Sequence, residues 1–149
     1  MLRTGEKGQR KATHLPWNCV VFSIGGRWLA VKTLEVAGIS PWKPSIPVGG
    51  CTPFIASVVR QNQAVLPVFD LALLLRLHVQ GSHPLCLRIK HPLGNMAICI
   101  DEEMPVLHTL EHDAVQAYRG NDIPAEGSYT SGLDEIPILA LSQLGSCMK

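Results

Sequence analysis

Six histidines, five cysteines and one run of acids are the side chains in this 149-residue chain that could do chemistry. His108-Thr-Leu-Glu-His112 spells HxxEH, a pattern in which two histidines one helical turn apart hold zinc and the glutamate acts as base. That use requires a helix. Pro105 and the apolar Val106-Leu107 instead describe a strand running into a turn, and on a strand positions i and i+4 stand about 13 Å apart, too far for one ion. The match reads as a coincidence among six histidines. Asp101-Glu102-Glu103 follows an apolar stretch and reads as a strand end and a solvated turn rather than a catalytic acid pair. There is no GxGxxG, GxxxxGK[ST] or GxSxG, whose glycines give the backbone needed for phosphate cradles and nucleophile elbows. We expect no catalytic residue, no cofactor and no metal, and therefore no enzyme.

Cys19, Cys51, Cys86, Cys99 and Cys147 are odd in number, far apart in sequence and without a CxxC pair. Residues 1–14 lack the apolar stretch of a secretory signal. Together these predict a reducing cytoplasm and small buried thiols. Ala64–Leu77 is the richest apolar run, and Pro67, Asp70 and Arg76 break it, so no membrane span is expected. The net charge of +1 hides a partition. Residues 1–14 carry +3, residues 15–100 carry +5, and residues 101–135 carry −8. Two solvated faces of opposite sign on a protein-binding module account for it; a nucleic-acid face is the rival reading.

The elements that must position these groups are short strands. Polar, basic residues 1–14 read as a disordered tail, and residues 15–149 as the folded domain. Cys19–Ile24 and Arg27–Val31 flank Gly25-Gly26, which supplies the positive φ of a tight hairpin. Leu34–Ile39 is a third strand, followed by an irregular stretch punctuated by Pro41, Pro44, Pro47 and Gly49-Gly50. Phe54–Arg60 and Ala64–Phe69 form the clearest hairpin, around Gln61-Asn62-Gln63. Asp70 caps a helix over Leu71–Leu77, apolar on nearly every face and so expected to be buried. Leu85–Ile89 and Met96–Ile100 flank a turn at Pro92–Asn95, and Met104–Leu110 is a further strand. Glu111–Tyr118 reads as a short helix stopped by Gly120. Tyr129–Leu133 and Ile136–Leu141 make a last hairpin around Asp134-Glu135, and Ser142–Leu144 a helical turn. No repeat of fixed period is visible. Ten or so short strands with close turns give an all-β fold with one or two short helices.

FIASVVRQNQAVLPVFDLALLL (residues 54–75) resembles the central hairpin and helix of the CheW-like domain family of bacterial chemotaxis, with Pro67-Val-Phe-Asp-Leu71 in place of the family's Pro-Val-x-Asp-Leu. VVFSIGGRWLAV resembles the family's opening hairpin, LEVAGI its next strand, MAICIDEEMPVL the strand carrying Val-Asp-x-Val, and TSGLDEIPILALSQL its closing hairpin. The resemblance spans about residues 18–145. It implies two small five-stranded SH3-like β-barrels packed over a shared core, and a non-enzymatic scaffold. It also implies two partners: the regulatory domain of a CheA-type histidine kinase and the cytoplasmic tip of chemoreceptors.

Aligned from Pro67, the family's Arg-Gly of the hairpin turn is Asn62-Gln63 here, and the glycine opening that strand is Ser57. The glutamate two residues after a strand valine is Gly38, and the aspartate of the closing motif is Ala140. Core positions are kept while exposed ones change, which makes a divergent kinase or receptor plausible. The candidate partner-binding residues are Val36, Gly38, Ser57, Arg60, Asn62 and Gln63. A core role competes for Val36. Arg60 shares a strand face with position 62 and could stand in for the missing arginine. The rival function is a small β-barrel binding nucleic acid through the basic excess of residues 15–100.

Overall fold

A computed structural model describes residues 15–49, 54–61 and 63–144. Asn62, Cys51, Cys147 and the basic tail at 1–14 lie outside the described residues. The chain opens with β1 (Trp17–Ile24) and β2 (Arg27–Lys32). Gly25 and Gly26 join them at φ of 61° and 83°, the left-handed conformation glycine tolerates best. Then come a 3-10 turn (Thr33–Glu35), β3 (Val36–Pro41), β4 (Ile46–Pro47), the hairpin of β5 (Ser57–Gln61) and β6 (Ala64–Val68), and a helix, α1 (Leu71–Leu75). A second hairpin, β7 (Leu85–His91) and β8 (Gly94–Ile100), leads to β9 (Val106–Leu110) and a 3-10 turn (His112–Ala114). The last hairpin is β10 (Ala125–Ser131) and β11 (Asp134–Leu139), followed by a 3-10 turn (Leu141–Gln143).

These strands make two curled sheets, ordered β10-β11-β2-β1-β9 and β3-β7-β8-β6-β5-β4. The first closes into a barrel where Gln116, just past β9, exchanges backbone hydrogen bonds of 2.9 and 2.7 Å with Ser128 of β10. The second closes through side chains: Gln61 Nε2 at the end of β5 donates to Ser40 Oγ on β3 at 2.7 Å. This is the all-β architecture read from the strands and the two-barrel arrangement that the family resemblance implies, with β4 as an extra two-residue edge.

The two barrels share one plan. Read as β9-β1-β2-β11-β10 and as β3-β7-β8-β6-β5, both pair antiparallel, antiparallel, parallel, antiparallel. The parallel contact is Ile138 with Ala30 in barrel 1 and Val68 with Ala97 in barrel 2. Cys19 matches Cys86 and Ala30 matches Ala97, 67 residues on; Pro67 matches Pro137 and Leu71 matches Leu141, 70 residues on. Each barrel takes its first hairpin from one half of the chain and its remaining strands from the other, so neither half can close a barrel alone. The repeat does not show along the sequence because the shifting offset and scarce identities conceal it.

Alternation within the hairpins builds three apolar clusters. Val20, Phe22 and Ile24 of β1, Leu87 and Ile89 of β7, and Ile98 and Ile100 of β8 face a core common to both barrels. The intervening Cys19 and Val21 fill barrel 1, while Cys86 and Ala97 fill barrel 2. These hairpins are buried on both faces, which is why they read as near-continuous apolar runs.

Four local expectations need correction. Glu111–Tyr118 forms no helix: one 3-10 turn is followed by extended chain, because Val115 packs into barrel 1 and Gln116 joins β10. Gly127 permits this, since a Cβ there would meet Val115 Cγ1 at 2.8 Å. The last hairpin turns at Gly132-Leu133, with Gly132 at φ 62°, not at Asp134-Glu135, which lie in β11. The third strand starts at Val36 after a 3-10 turn, not at Leu34. Helix α1 ends at Leu75, where Arg76 turns left-handed at φ 59°, and Leu73 is 59% exposed rather than buried.

Candidate protein-docking surface

The five predicted partner residues that are described, Val36, Gly38, Ser57, Arg60 and Gln63, lie on barrel 2 and do not form one patch; Asn62 lies outside the described residues. Arg60 is exposed on β5, opposite Val65 of β6, and Gln63 is exposed in the turn. Gln61, read from sequence as a turn residue, is buried and clasps β3. That clasp brings the β5–β6 tip to the strand that holds Val36 and Gly38. Val36 is half-buried against the shared core, which favours its packing role. Gly38 lies opposite Arg88 of β7, beside a bulge, and a Cβ at position 38 would collide with the Arg88 guanidinium. A larger residue there must displace that arginine. Ser57 points away from Arg60 on the alternating strand and lines a groove.

That groove, with a volume of about 610 Å³, runs between the β4–β5 connection and α1. Trp42, Val48, Phe54, Leu73 and Leu77 give it apolar walls, and Cys99 contributes a thiol. Helix α1 fixes its rim. Asp70 caps it by accepting from Leu73 N–H at 3.0 Å, and the Leu77 N–H closes its end on the Ala72 carbonyl at 2.8 Å. Phe54 stands at φ 62° with its ring centroid 6.0 Å from that of Phe69. The sequence offered no signal for the groove, because its walls come from segments that meet only in the fold.

The acidic run holds a second determinant. Asp101 is buried, whereas Glu102 and Glu103 are exposed. Its carboxylate accepts from Ser23 Oγ at 3.0 Å, from the Gly25 and Gly26 N–H groups at 2.9 Å each, and from Gln80 N–H at 2.7 Å. Burial alone would raise its pKa, but hydrogen bonds from Gln80, Gly26, Gly25 and Ser23 outweigh that and hold it below the usual aspartate value. Asp101 thus ties the β1–β2 turn to the chain leaving β8. The only available signal was its place in the stretch resembling Val-Asp-x-Val.

Charge separates with the barrels. Described residues of barrel 1, outside the Asp101–Glu103 connection, total −3; those of barrel 2 total +3. Both ion pairs found among the described residues belong to barrel 1: Arg27 with Asp122 at 2.6 Å and Lys32 with Glu126 at 2.9 Å. Tyr118 completes the first, accepting from Arg27 at 2.7 Å and donating to Asp122 at 2.7 Å. As for HxxEH, His108 sits on β9 stacked on Tyr129 with centroids 5.4 Å apart, while His112 lies beyond Glu111 in a 3-10 turn. No group of three metal-ligating side chains gathers among the described residues. No helix there is long and apolar enough to cross a membrane.

The fold and its surface define a class: a twin-barrel module built around a shared core, with an apolar groove and with Arg60 and Gln63 exposed near one hairpin turn. The family model of the CheW-like domain matches residues 18–143, and the chain belongs to that family. Among solved structures, the scaffolding protein TtCheW from Thermoanaerobacter tengcongensis aligns with a TM-score of 0.75 over 87% of each chain at 14% identity, a likeness of fold. No curated protein matches. Membership in the family supports a role as a chemotaxis scaffold.

Proposed function

We propose that this protein is a non-enzymatic adaptor that couples chemoreceptors to a CheA-type histidine kinase by binding both. The observation that carries the reading is the family match across residues 18–143, which takes in both barrels rather than one motif. Exposed Arg60 and Gln63 near the β5–β6 turn of barrel 2 lend support, as does the groove at the other end of that hairpin, where Ser57 and Val68 lie. Val36, Gly38, Ser57, Arg60, Asn62 and Gln63 remain the proposed contact residues. Gly38 and Asn62 depart from the family pattern, so the matching partner is a divergent kinase or receptor. Such modules bind through apolar surfaces and need no cofactor.

The test is co-sedimentation of the full chain with the regulatory domain of the cognate kinase and, separately, with membranes carrying the receptor. Retention of both at micromolar protein, weakened by Arg60→Glu, is the expected result. Retention of neither ends the adaptor reading. A shift of oligonucleotides at low salt, lost as salt rises, would favour nucleic-acid binding instead.

A further inference from the structure

Barrel 2 holds a pair of thiols whose placement has no counterpart in barrel 1. Strand register sets Cys86 of β7 directly opposite Cys99 of β8. Opposed residues of an antiparallel pair point to the same face, with Cα atoms about 4.5–5.5 Å apart. A disulfide needs about 4.4–6.8 Å, so bridging the pair demands no slip of the ladder. Both thiols are free. They differ in access: Cys86 is fully buried inside barrel 2, whereas Cys99 is half-buried and lines the groove. In barrel 1 the matching pair is Cys19 opposite Lys32, a single thiol that cannot form such a bridge.

We propose that Cys86 and Cys99 form a reversible cross-strand disulfide, opened and closed by thiol–disulfide exchange through the groove. The co-reactant is a small disulfide of the glutathione class. The Cys99 thiolate attacks one sulfur of that disulfide, whose S–S bond breaks and releases one thiol. The Cys86 thiolate then attacks Cys99 Sγ in the mixed disulfide and releases the second thiol. Two protein thiols lose two electrons and two protons, and the small disulfide is reduced to two thiols. In a reducing cytoplasm the pair rests as dithiol and closes when the poise shifts.

Burial sets the pace. Desolvation, with the neighbouring Cys86 next in effect, pushes the Cys99 thiol up to about 12, and desolvation raises Cys86 as well. Little thiolate exists at neutral pH, so exchange is slow there and quickens about tenfold per pH unit between 7 and 9. The site therefore responds to sustained rather than brief oxidation. Closing it also takes the Cys99 thiol out of the groove wall.

The full-length protein is incubated with oxidised glutathione at pH 8, alkylated under denaturing conditions and mapped by peptide mass. The expected product is a Cys86–Cys99 linked peptide pair, two hydrogens lighter and released by a reductant. In Cys86→Ala, chosen because a small apolar side chain suits the site, Cys99 should accumulate as the glutathione mixed disulfide. In Cys99→Ser, Cys86 should stay fully alkylatable; Cys19→Ser should leave the linked product unchanged. The proposal is overturned if both thiols remain alkylatable in the wild type, if Cys99 stops at the mixed disulfide, or if it pairs with Cys51 or Cys147. Partner binding enters none of these readouts, so they stand or fall apart from the adaptor reading.

Discussion

Barrel 1 and barrel 2 are built on one strand plan and filled differently. Barrel 1 packs Tyr129, Ile136, Ile138, Leu110 and Val21 inside, with Trp17 and Trp28 against them. Barrel 2 packs, among the described residues, Val59, Val68, Cys86 and Ala97, with Trp42 and Leu66 partly buried. By register, Val59 stands where barrel 1 has Tyr129, and Arg88 stands where it has Val21. A valine fills its barrel; an arginine brings in a charge, and its buried Nε has no hydrogen-bond partner. The basic residues of the barrel 1 hairpin, Arg27 and Lys32, are held in ion pairs, whereas no ion pair joins the cations of barrel 2 among the described residues. The lesson is a division of labour. Barrel 1 pairs Arg27 and Lys32 with its own carboxylates; barrel 2 has no ion pair on its cations among the described residues and carries an apolar groove.

The largest test of that contrast lies at the tie between the barrels. Asp101→Ala strands two backbone N–H donors of the β1–β2 turn and one from Gln80, and should cost about 3 kcal/mol in urea unfolding. Because the carboxyl is held below 3.8 in the folded protein, its stabilisation is complete above that pH and fades as pH falls through the lower folded value. The gap between wild type and variant should therefore narrow below pH 3.8; a gap constant from pH 7 to pH 2 would show that charge plays no part.

Next come the matched parallel-contact positions. Ile138→Ala should cost about 3 kcal/mol and Val68→Ala about 2 kcal/mol, because isoleucine buries one methylene more and the thinner barrel packs less around its valine. Equal costs would erase the difference in filling. Asp70→Ala removes the cap of α1 and should cost about 1 kcal/mol, with loosening confined to the groove rim in hydrogen exchange. The smallest effect carries the sharpest sign. Arg88→Val copies barrel 1 into barrel 2 and should leave stability unchanged or raise it by up to about 1 kcal/mol, since it removes an unsatisfied donor. A loss of more than about 1 kcal/mol would show that the guanidinium has a stabilising partner.

Much of the fold was legible along the chain because its signals are local. Gly25-Gly26 announced a hairpin, Asp70 a cap, and the alternating or doubly apolar runs the strands. Errors fell where a distant contact outvoted a local preference. Glu111–Tyr118 has helical composition, yet Val115 earns more in the barrel 1 core than in a solvated turn of helix. Gln61 looks like a turn residue until Ser40 meets it across the barrel seam. Leu73 looked buried because its neighbours are apolar, but the groove leaves it open. Of the candidate partner residues, Arg60 and Gln63 are exposed as expected, Ser57 faces the groove, Val36 packs on the core, and Gly38 makes room for Arg88.

By itself the sequence determined the strand inventory, the tight turns and the helix cap, because those depend on side-chain period and on a few backbone conformations within a handful of residues. Only the tertiary structure decided that the halves exchange hairpins, that Cys86 faces Cys99, and that Asp101 is a buried anchor while its two acidic neighbours are exposed. Each of those is a pairing between segments remote along the chain, and what a side chain does there is fixed by the neighbour folding brings to it.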